Sequence, residues 1–577
     1  METRVSKVQS SFNYGSFFRG STVMVIVPHE DDEINTAGAT IYGALQEGLR
    51  VICVFITNGD WEFQGQLRIQ ETMNMAREIG IPQEDLIFLG FPDAGVEGQR
   101  AVFMHGRTEP INGTGHNETY GTATVLDYST SVLGQPTPYT WNGLLANLKA
   151  VILQYQPSTI ISTDFDVHAD HRQCAIAVDT VMADILKAPS NTYTPQLLKG
   201  FAYATAYETV LDYYESHLLS TVLNRKAMVD PSFSTSNPTL AWEDRIRVPV
   251  PTDCREKPLI ETPIFKGMSA HVSQSGYKRA SRIINGDQVF WEHRTDNLAL
   301  RGTFTASSGN IDAVNDFLRF TMTDLSCHQF YPYDYLWICD AHDNDKWCRC
   351  EFEEALDLDT VVLFGNIDRQ NRVKTVALSN DRGDRKIVSL PEYFPTGFTV
   401  QLDWPTPTKW IEVYIVDVNG MEAGFSEIEL YGPMPKLDGF IQILGNDQFM
   451  YDWIVYSREA LPQLSLYYWD GVRCRVLTEP MDGVCVSWYV QNVPVEWNEL
   501  QEAVNRHMTG QWMVIRCELV YTNCSDSAPM WCEVQIRKGS ILDWVVFHAK
   551  VLKSKLDYTV AKMPLKRGRK RLNKYRL

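Results

Sequence analysis

Apolar positions in the first two hundred residues fall in short continuous runs, not in strict alternation. The runs are Val23-Met24-Val25-Ile26-Val27, Val51 to Ile56, Leu86 to Leu89 and the stretch from Ser158 to Ser162 around Ile160-Ile161. Runs of this length bounded by polar residues read as strands buried on both faces. Helical spacing occupies the intervals at Gln66 to Gly80, Leu144 to Tyr155 and Cys174 to Leu186. Strands separated by helices predict an α/β domain around a parallel sheet with right-handed crossovers.

The pattern fails between about Val96 and Thr140, where Gly, Thr, Asn and Tyr dominate. A connection this long in a compact domain is read as a substrate-facing lid. From about Arg301 the period becomes two. Val361 to Phe364, Thr375 to Leu378, Phe398 to Leu402 and Trp410 to Ile415 predict strands of a β-sandwich. A last strand-rich part carries candidate strands at Asp452 to Tyr456, Trp512 to Tyr521, Cys532 to Ile536 and Trp544 to Phe547. With 577 residues the chain exceeds one core. The boundaries drawn are 21–298 for the α/β domain, 300–432 for the sandwich, 436–561 for a β-rich domain and 562–577 for a basic tail.

Two polar clusters follow predicted strands. Pro28-His29-Glu30-Asp31-Asp32-Glu33 comes directly after the first run, and Asp164-Phe165-Asp166-Val167-His168-Ala169-Asp170-His171 after the fourth. Strand C-terminal ends are where open α/β sheets hold ligands. Taken alone the acidic run is equally a solvated loop; two clusters of His and Asp at one sheet edge point to a divalent metal. Zinc takes such ligands, and a catalytic site keeps three protein ligands with one position open to water. His29, Asp32 and His171 form such a set. Asp31, next to a ligand, is the expected base. His168 is expected to stabilise negative charge or protonate a leaving group, with Asp170 holding its ring. These parts suit hydrolysis of an amide or ester by metal-activated water.

Composition narrows the partners. The formal net charge of −18 argues against nucleic acid. Residues Lys562 to Leu577 nevertheless hold eight Lys or Arg, read as a solubilising end or a contact for an anionic polymer or membrane surface. No apolar run approaches the roughly 18 residues of a membrane span, and no signal-peptide core is seen, so a cytoplasmic protein is expected. The 12 cysteines are scattered and are expected to be small buried thiols. The acidic stretch Asp340 to Asp345 reads as a solvated turn in preference to a calcium site. Of Trp347, Trp404 and Trp410, core packing is expected for at least two.

The region 21–298 resembles the zinc-dependent de-N-acetylases typified by N-acetylglucosaminyl-phosphatidylinositol deacetylase, the PIG-L or LmbE-like family. The carrying residues are His29-Glu30-Asp31-Asp32-Glu33, His168-Ala169-Asp170-His171, Arg68 with Glu71, Leu89-Gly90-Phe91-Pro92-Asp93 and His271-Val272-Ser273-Gln274. The resemblance implies a Rossmann-like catalytic domain with zinc on His29, Asp32 and His171, Asp31 as base, His168 as acid or oxyanion donor, and Arg68, Asn58 and His271 binding substrate. It also implies loss of an acetyl group from an N-acetylhexosamine of a glycan or glycoconjugate. Glu30 and Ala169 replace the family's prolines, and Glu30 is expected to face solvent. Asp166 stands where some members have a tyrosine of the oxyanion site, which keeps open another amide, such as a thiol conjugate or antibiotic precursor. A carbohydrate-binding protein with a vestigial metal site is the remaining alternative. Residues 300–432 are similar to the discoidin (factor 5/8 type C) sandwich through Ala306-Ser307-Ser308-Gly309, Val314-Asn315-Asp316, Trp347 and Gly424 to Gly432, which implies carbohydrate binding.

Overall fold

The computed structural model describes residues 14–94, 108–202, 237–319 and 336–433 apart from short internal stretches. It also describes strands at 2–8, 207–208 and 222–223 and several between 440 and 537. The expected strand Trp544 to Phe547, the basic tail, residues 95–107 of the expected lid and Asp166 lie outside the described residues.

The first domain runs, in chain order, β1 (Thr22–Val27), α1 (Asp32–Gln46), β2 (Arg50–Thr57), α2 (Gly65–Ile79), β3 (Leu86–Phe91), α3 (Trp141–Tyr155), β4 (Thr159–Thr163), α4 (Ala169–Leu186) and β5 (Gln196–Gly200), of which α1 and β5 were not among the expected elements. β6 (Ile246–Pro249), α5 (Pro263–Ala270), α6 (Gly276–Ile283) and β7 (Asp287–Glu292) complete it. The sheet order is β3-β2-β1-β4-β5-β7-β6. The first five strands run parallel, and β7 is antiparallel to both its neighbours.

Burial on both faces explains the continuous apolar runs. Val23, Val25 and Val27 with Val51, Cys53 and Phe55 enter one core with α1, α2 and α5. Met24 and Ile26 with Ile52, Val54 and Ile56 enter the other with α3 and α4. α4 begins at Ala169, earlier than its apolar spacing indicated, because the His168 imidazole accepts from the Asp170 N–H and caps it. The expected lid is not featureless: a helix at Tyr128–Leu133 is capped by Asp127, and Asn58 Nδ2 donates to the Tyr120 carbonyl at 2.7 Å. Gly90 adopts φ +78°, and a Cβ there would meet the Tyr120 carbonyl oxygen at 2.8 Å, so this connection lies directly on the end of β3.

The second domain consists of two antiparallel sheets, of five and four strands, around a shared core. It is joined to the first by more than a linker. Phe317 enters the α3/α4 core, and Leu318 packs with Phe165, Ala175 and Ile176. Phe317 holds φ 69° and stacks on His293 with ring centroids 3.7 Å apart. His293 Nδ1 lies 3.5 Å from Asp179 of α4, which pairs with Lys199 at 2.6 Å. Arg319 grips Glu429 through Nε at 2.6 Å and Nη2 at 3.2 Å.

Burial, then the nearby Arg319 charge, hold the His293 imidazole down to about 4. The unfolded chain takes up this proton near pH 6.5 and the folded chain only near 4, so stability present above pH 6.5 is lost as pH falls toward 4. Unfolding midpoints in urea are expected to report a loss of about 2 kcal/mol from this group between pH 7 and 5, and His293→Gln should flatten that slope.

Some sandwich expectations are corrected. Trp404 packs against the core, but Trp347 and Trp410 lie half-buried beneath the Arg349 guanidinium, at 5.5 and 4.3 Å from their centroids. Trp337 is the fully buried indole. In the acidic turn the Asp343 carboxylate accepts from Ser308 Oγ at 2.5 Å and the Asp345 N–H at 2.9 Å; the Ser307 hydroxyl, then these two donors, hold its pKa down to about 2. Further along, Glu2–Val8 pairs antiparallel with Met530–Arg537, placing the first strand in a sheet of the last region. Among the described residues no helix is long and apolar enough to cross a membrane.

Candidate metal centre and active site

The strand order reverses between β1 and β4, and at such a switch point two loops diverge to leave a crevice. Both sequence clusters sit there, because one follows β1 and the other follows β4. The whole stretch Pro28 to Glu33 is buried, so it is not a solvated loop.

Asp31 sets the geometry of the first cluster. It takes φ 112°, ψ −23° just before α1, a left-handed backbone that costs a non-glycine residue roughly 1–2 kcal/mol. The reversal separates its carboxylate from those of its neighbours. Asp32 Oδ2 lies 3.0 Å from His29 Nδ1 and 3.1 Å from His171 Nε2. Asp31 instead meets Arg68 Nη2 at 3.2 Å through Oδ1, and Arg279 Nη1 through Oδ2. The three expected ligands therefore converge, and the expected base stands beside them on two guanidinium groups.

Among the described residues two groups here have the proximity to hold a divalent cation, His29 with His168 and His171, and His29 with Asp93, His168 and Asp170; the expected set shares His29 and His171 with the first, and Asp32 is in neither. The nitrogen–oxygen separations around Asp32 approach the roughly 3.3 Å between neighbouring ligand atoms of a tetrahedral zinc. Nitrogens of His29, His168 and His171 also lie within 4.8 Å of one another. Burial works to raise the Asp32 pKa, but His171 and His29 outweigh it and hold the carboxyl well below its usual range, ionised as a ligand must be.

Asp170 engages the His168 ring through its backbone N–H, and its carboxylate faces His29 as well. Its Oδ2 lies 3.0 Å from His29 Nε2 and 3.7 Å from His168 Nδ1, and it accepts the Ala94 N–H at 2.8 Å. It orients His29, because the His168 Nδ1 is already engaged by the Asp170 N–H at 3.2 Å. That bond leaves Nε2 of a neutral His168 carrying the proton. Burial and the two neighbouring imidazoles keep His168 neutral, with its pKa lowered to about 4. Asp93 adds a carboxylate 3.6 Å from His29 Nε2.

The three expected substrate binders are buried and engaged with protein groups. Arg68 bonds Asp31 and the Glu30 and Gly59 carbonyls. Asn58 holds the lid at Tyr120. His271 Nε2 lies 2.7 Å from Glu33 Oε1. Glu71, one turn beyond Arg68, accepts from the Ser273 N–H at 2.8 Å and its hydroxyl at 2.7 Å. Those contacts dock the loop after α5 and bring α6 with Arg279 onto Asp31. Sequence reasoning missed Arg279, which no motif covered. Glu30 is also corrected: it is fully buried, both carboxylate oxygens lack hydrogen bonds, and Arg68 Nε approaches Oε2 at 3.5 Å. Burial pushes the Glu30 carboxyl up to about 8, against the Arg68 charge.

Residues 24–182, which hold both clusters, match the family model PIG-L: GlcNAc-PI de-N-acetylase. Among solved structures, an N,N'-diacetylchitobiose deacetylase from Pyrococcus horikoshii is 18% identical with a TM-score of 0.22, over 33% of this chain. The match spans 64% of that deacetylase. The conserved protein TT1542 from Thermus thermophilus is 13% identical with a TM-score of 0.26, over 47% of this chain and 93% of its own. A family 32 carbohydrate-binding module from C. perfringens NanJ, solved with galactose, is 14% identical with a TM-score of 0.19, over 23% of this chain and 94% of its own. At these scores none of the three bears on function. No curated protein matches the chain.

Proposed function

We propose that this protein is a zinc-dependent hydrolase that removes the N-acetyl group from an N-acetylhexosamine of a glycan or glycoconjugate. The observation that carries the reading is the convergence of His29, Asp32 and His171 at the sheet's switch point beside an Asp31 outside the donor set. The match of the family model to this segment supports the choice of an acetamide. Zinc bound there supplies Lewis-acid polarisation and a nucleophile at neutral pH.

The protein's own groups do the rest. Asp31 accepts the proton of the attacking water, with Arg68 and Arg279 fixing its carboxylate. His168 offers its Nε2–H to the developing oxyanion, and Asp170 fixes the orientation of His29. Arg68, Asn58 and His271 act as positioning residues through Asp31, the lid and Glu33. The sandwich, read as discoidin-like, would hold neighbouring carbohydrate.

Purified protein is expected to bind one zinc per chain and to release acetate from at least one N-acetylhexosamine substrate. Added zinc should raise the unfolding midpoint of chelator-treated wild type, by about 4 kcal/mol of stability at a thousandfold excess over Kd. His171→Ala should show neither this shift nor turnover. Acetate release by metal-free protein at the wild-type rate would overturn the proposal.

A further inference from the structure

The turn after β2 carries an aromatic feature that the proposed chemistry leaves unused. Asp60 is buried, accepting from the Asp93 N–H at 2.9 Å and the Tyr120 hydroxyl at 3.2 Å. The next three residues turn outward: Trp61 is 38% exposed and Phe63 is 81% exposed. Glu62 and Phe63 both adopt left-handed backbone, with φ 58° and 61°. Two consecutive non-glycine residues in that region are costly, and such strain persists only where surrounding structure imposes it. Here the buried Asp60 fixes one end and α2 the other, and the result is a ring held out to solvent three residues from Asp60.

The surroundings extend this feature. His116 and Tyr120 of the lid stack with centroids 4.0 Å apart, and Tyr120 reaches Asp60. A Cβ on Gly115 would come within 3.9 Å of the Phe63 ring. Phe63 connects to the centre through a short chain of contacts, since Asp60 holds Asp93 and Asp93 lies 3.6 Å from His29.

We infer that Phe63 and Trp61 form a stacking platform for the sugar ring next to the one deacetylated, so the substrate is an N-acetylated oligosaccharide longer than one unit. This rests on the deacetylase reading. A pyranose offers a flat face of C–H groups to the negative face of an aromatic ring, with hydroxyls at its edge. Glu62 and Gln64, joined by a 3.3 Å hydrogen bond, stand beside the ring to meet them. An acyl chain or bilayer would bury those polar groups without recompense, and the net charge of −18 opposes an anionic membrane.

The test compares full-length wild type, Phe63→Asn and Phe63→Trp on N-acetylglucosamine and its β-1,4-linked tetramer. Asn tolerates left-handed backbone, so Phe63→Asn removes the ring without adding strain. Wild type is expected to favour the tetramer by roughly tenfold in kcat/KM and in calorimetric affinity. Phe63→Asn should cut that ratio to below about threefold, with Phe63→Trp retaining it. A ratio unmoved by Phe63→Asn, or an equal loss on both sugars, would overturn the platform. Ring-dependent sedimentation with phosphatidylcholine vesicles, without an effect on the tetramer, would do the same. Acetate release with ring-independent sugar binding sinks the platform alone. Ring-dependent tetramer binding without acetate release sinks the deacetylase reading and leaves the platform standing.

Discussion

Asp31→Asn is expected to lower acetate release by roughly 10²–10⁴-fold, the range typical for removal of a positioned general base, with zinc stoichiometry retained. The separation of roles follows from the backbone. The left-handed Asp31 carries its carboxylate to Arg68 and Arg279, away from the donors gathered on Asp32. An amide cannot accept the proton, yet it has the size and shape of the carboxyl. The substitution also leaves the buried Arg68 with a weaker partner, so some stability is lost. Turnover must therefore be normalised to folded, zinc-loaded protein. Loss of zinc together with activity would show that Asp31 holds the metal, and full activity with zinc bound would remove it from the mechanism. Burial, then the adjacent Asp32, push the Asp31 carboxyl pKa up, while Arg279, Arg68 and His271 pull it down.

The contrast between Asp31 and Arg279 shows what the sequence could reveal. Buried parallel strands are continuous apolar runs, so β1, β2, β3 and β4 were legible with their ends nearly in place. The two His and Asp clusters were legible as candidate chemistry because each follows such a run. Their meeting depends on β1 and β4 being neighbours, which only the strand order supplies. Arg279 lies 248 residues from Asp31, and an arginine in an amphipathic helix carries no local signal of its partner. Glu30 misled because an acidic residue in a polar run is ordinarily solvated, whereas here Arg68 and the packed turn enclose it. Phe317 and Leu318 are hydrophobic residues in a loop, and nothing in their spacing tells that they enter the neighbouring domain's cores.

Arg319→Met is expected to destabilise the protein by about 3–5 kcal/mol, because it leaves Glu429 as a buried charge without its two guanidinium bonds. The Tyr431 hydroxyl, at 2.8 Å from Glu429 Oε2, is a neutral donor and cannot replace them. The midpoint of thermal unfolding should fall by on the order of 10 °C. Arg319→Met combined with Glu429→Gln should recover much of the loss, since the stranded charge goes with its partner. The location makes the result informative beyond stability. Arg319 follows Phe317 and Leu318, which pack into the α/β domain, and Leu318 touches Phe165, Ala175 and Ile176 around the second His and Asp cluster. A sandwich that were merely tethered would unfold by itself and leave a second, unshifted transition for the α/β domain. Interlocked cores require one concerted shift, accompanied by weaker zinc retention at His171, and a split transition with unchanged zinc affinity would show that the sandwich does not support the site.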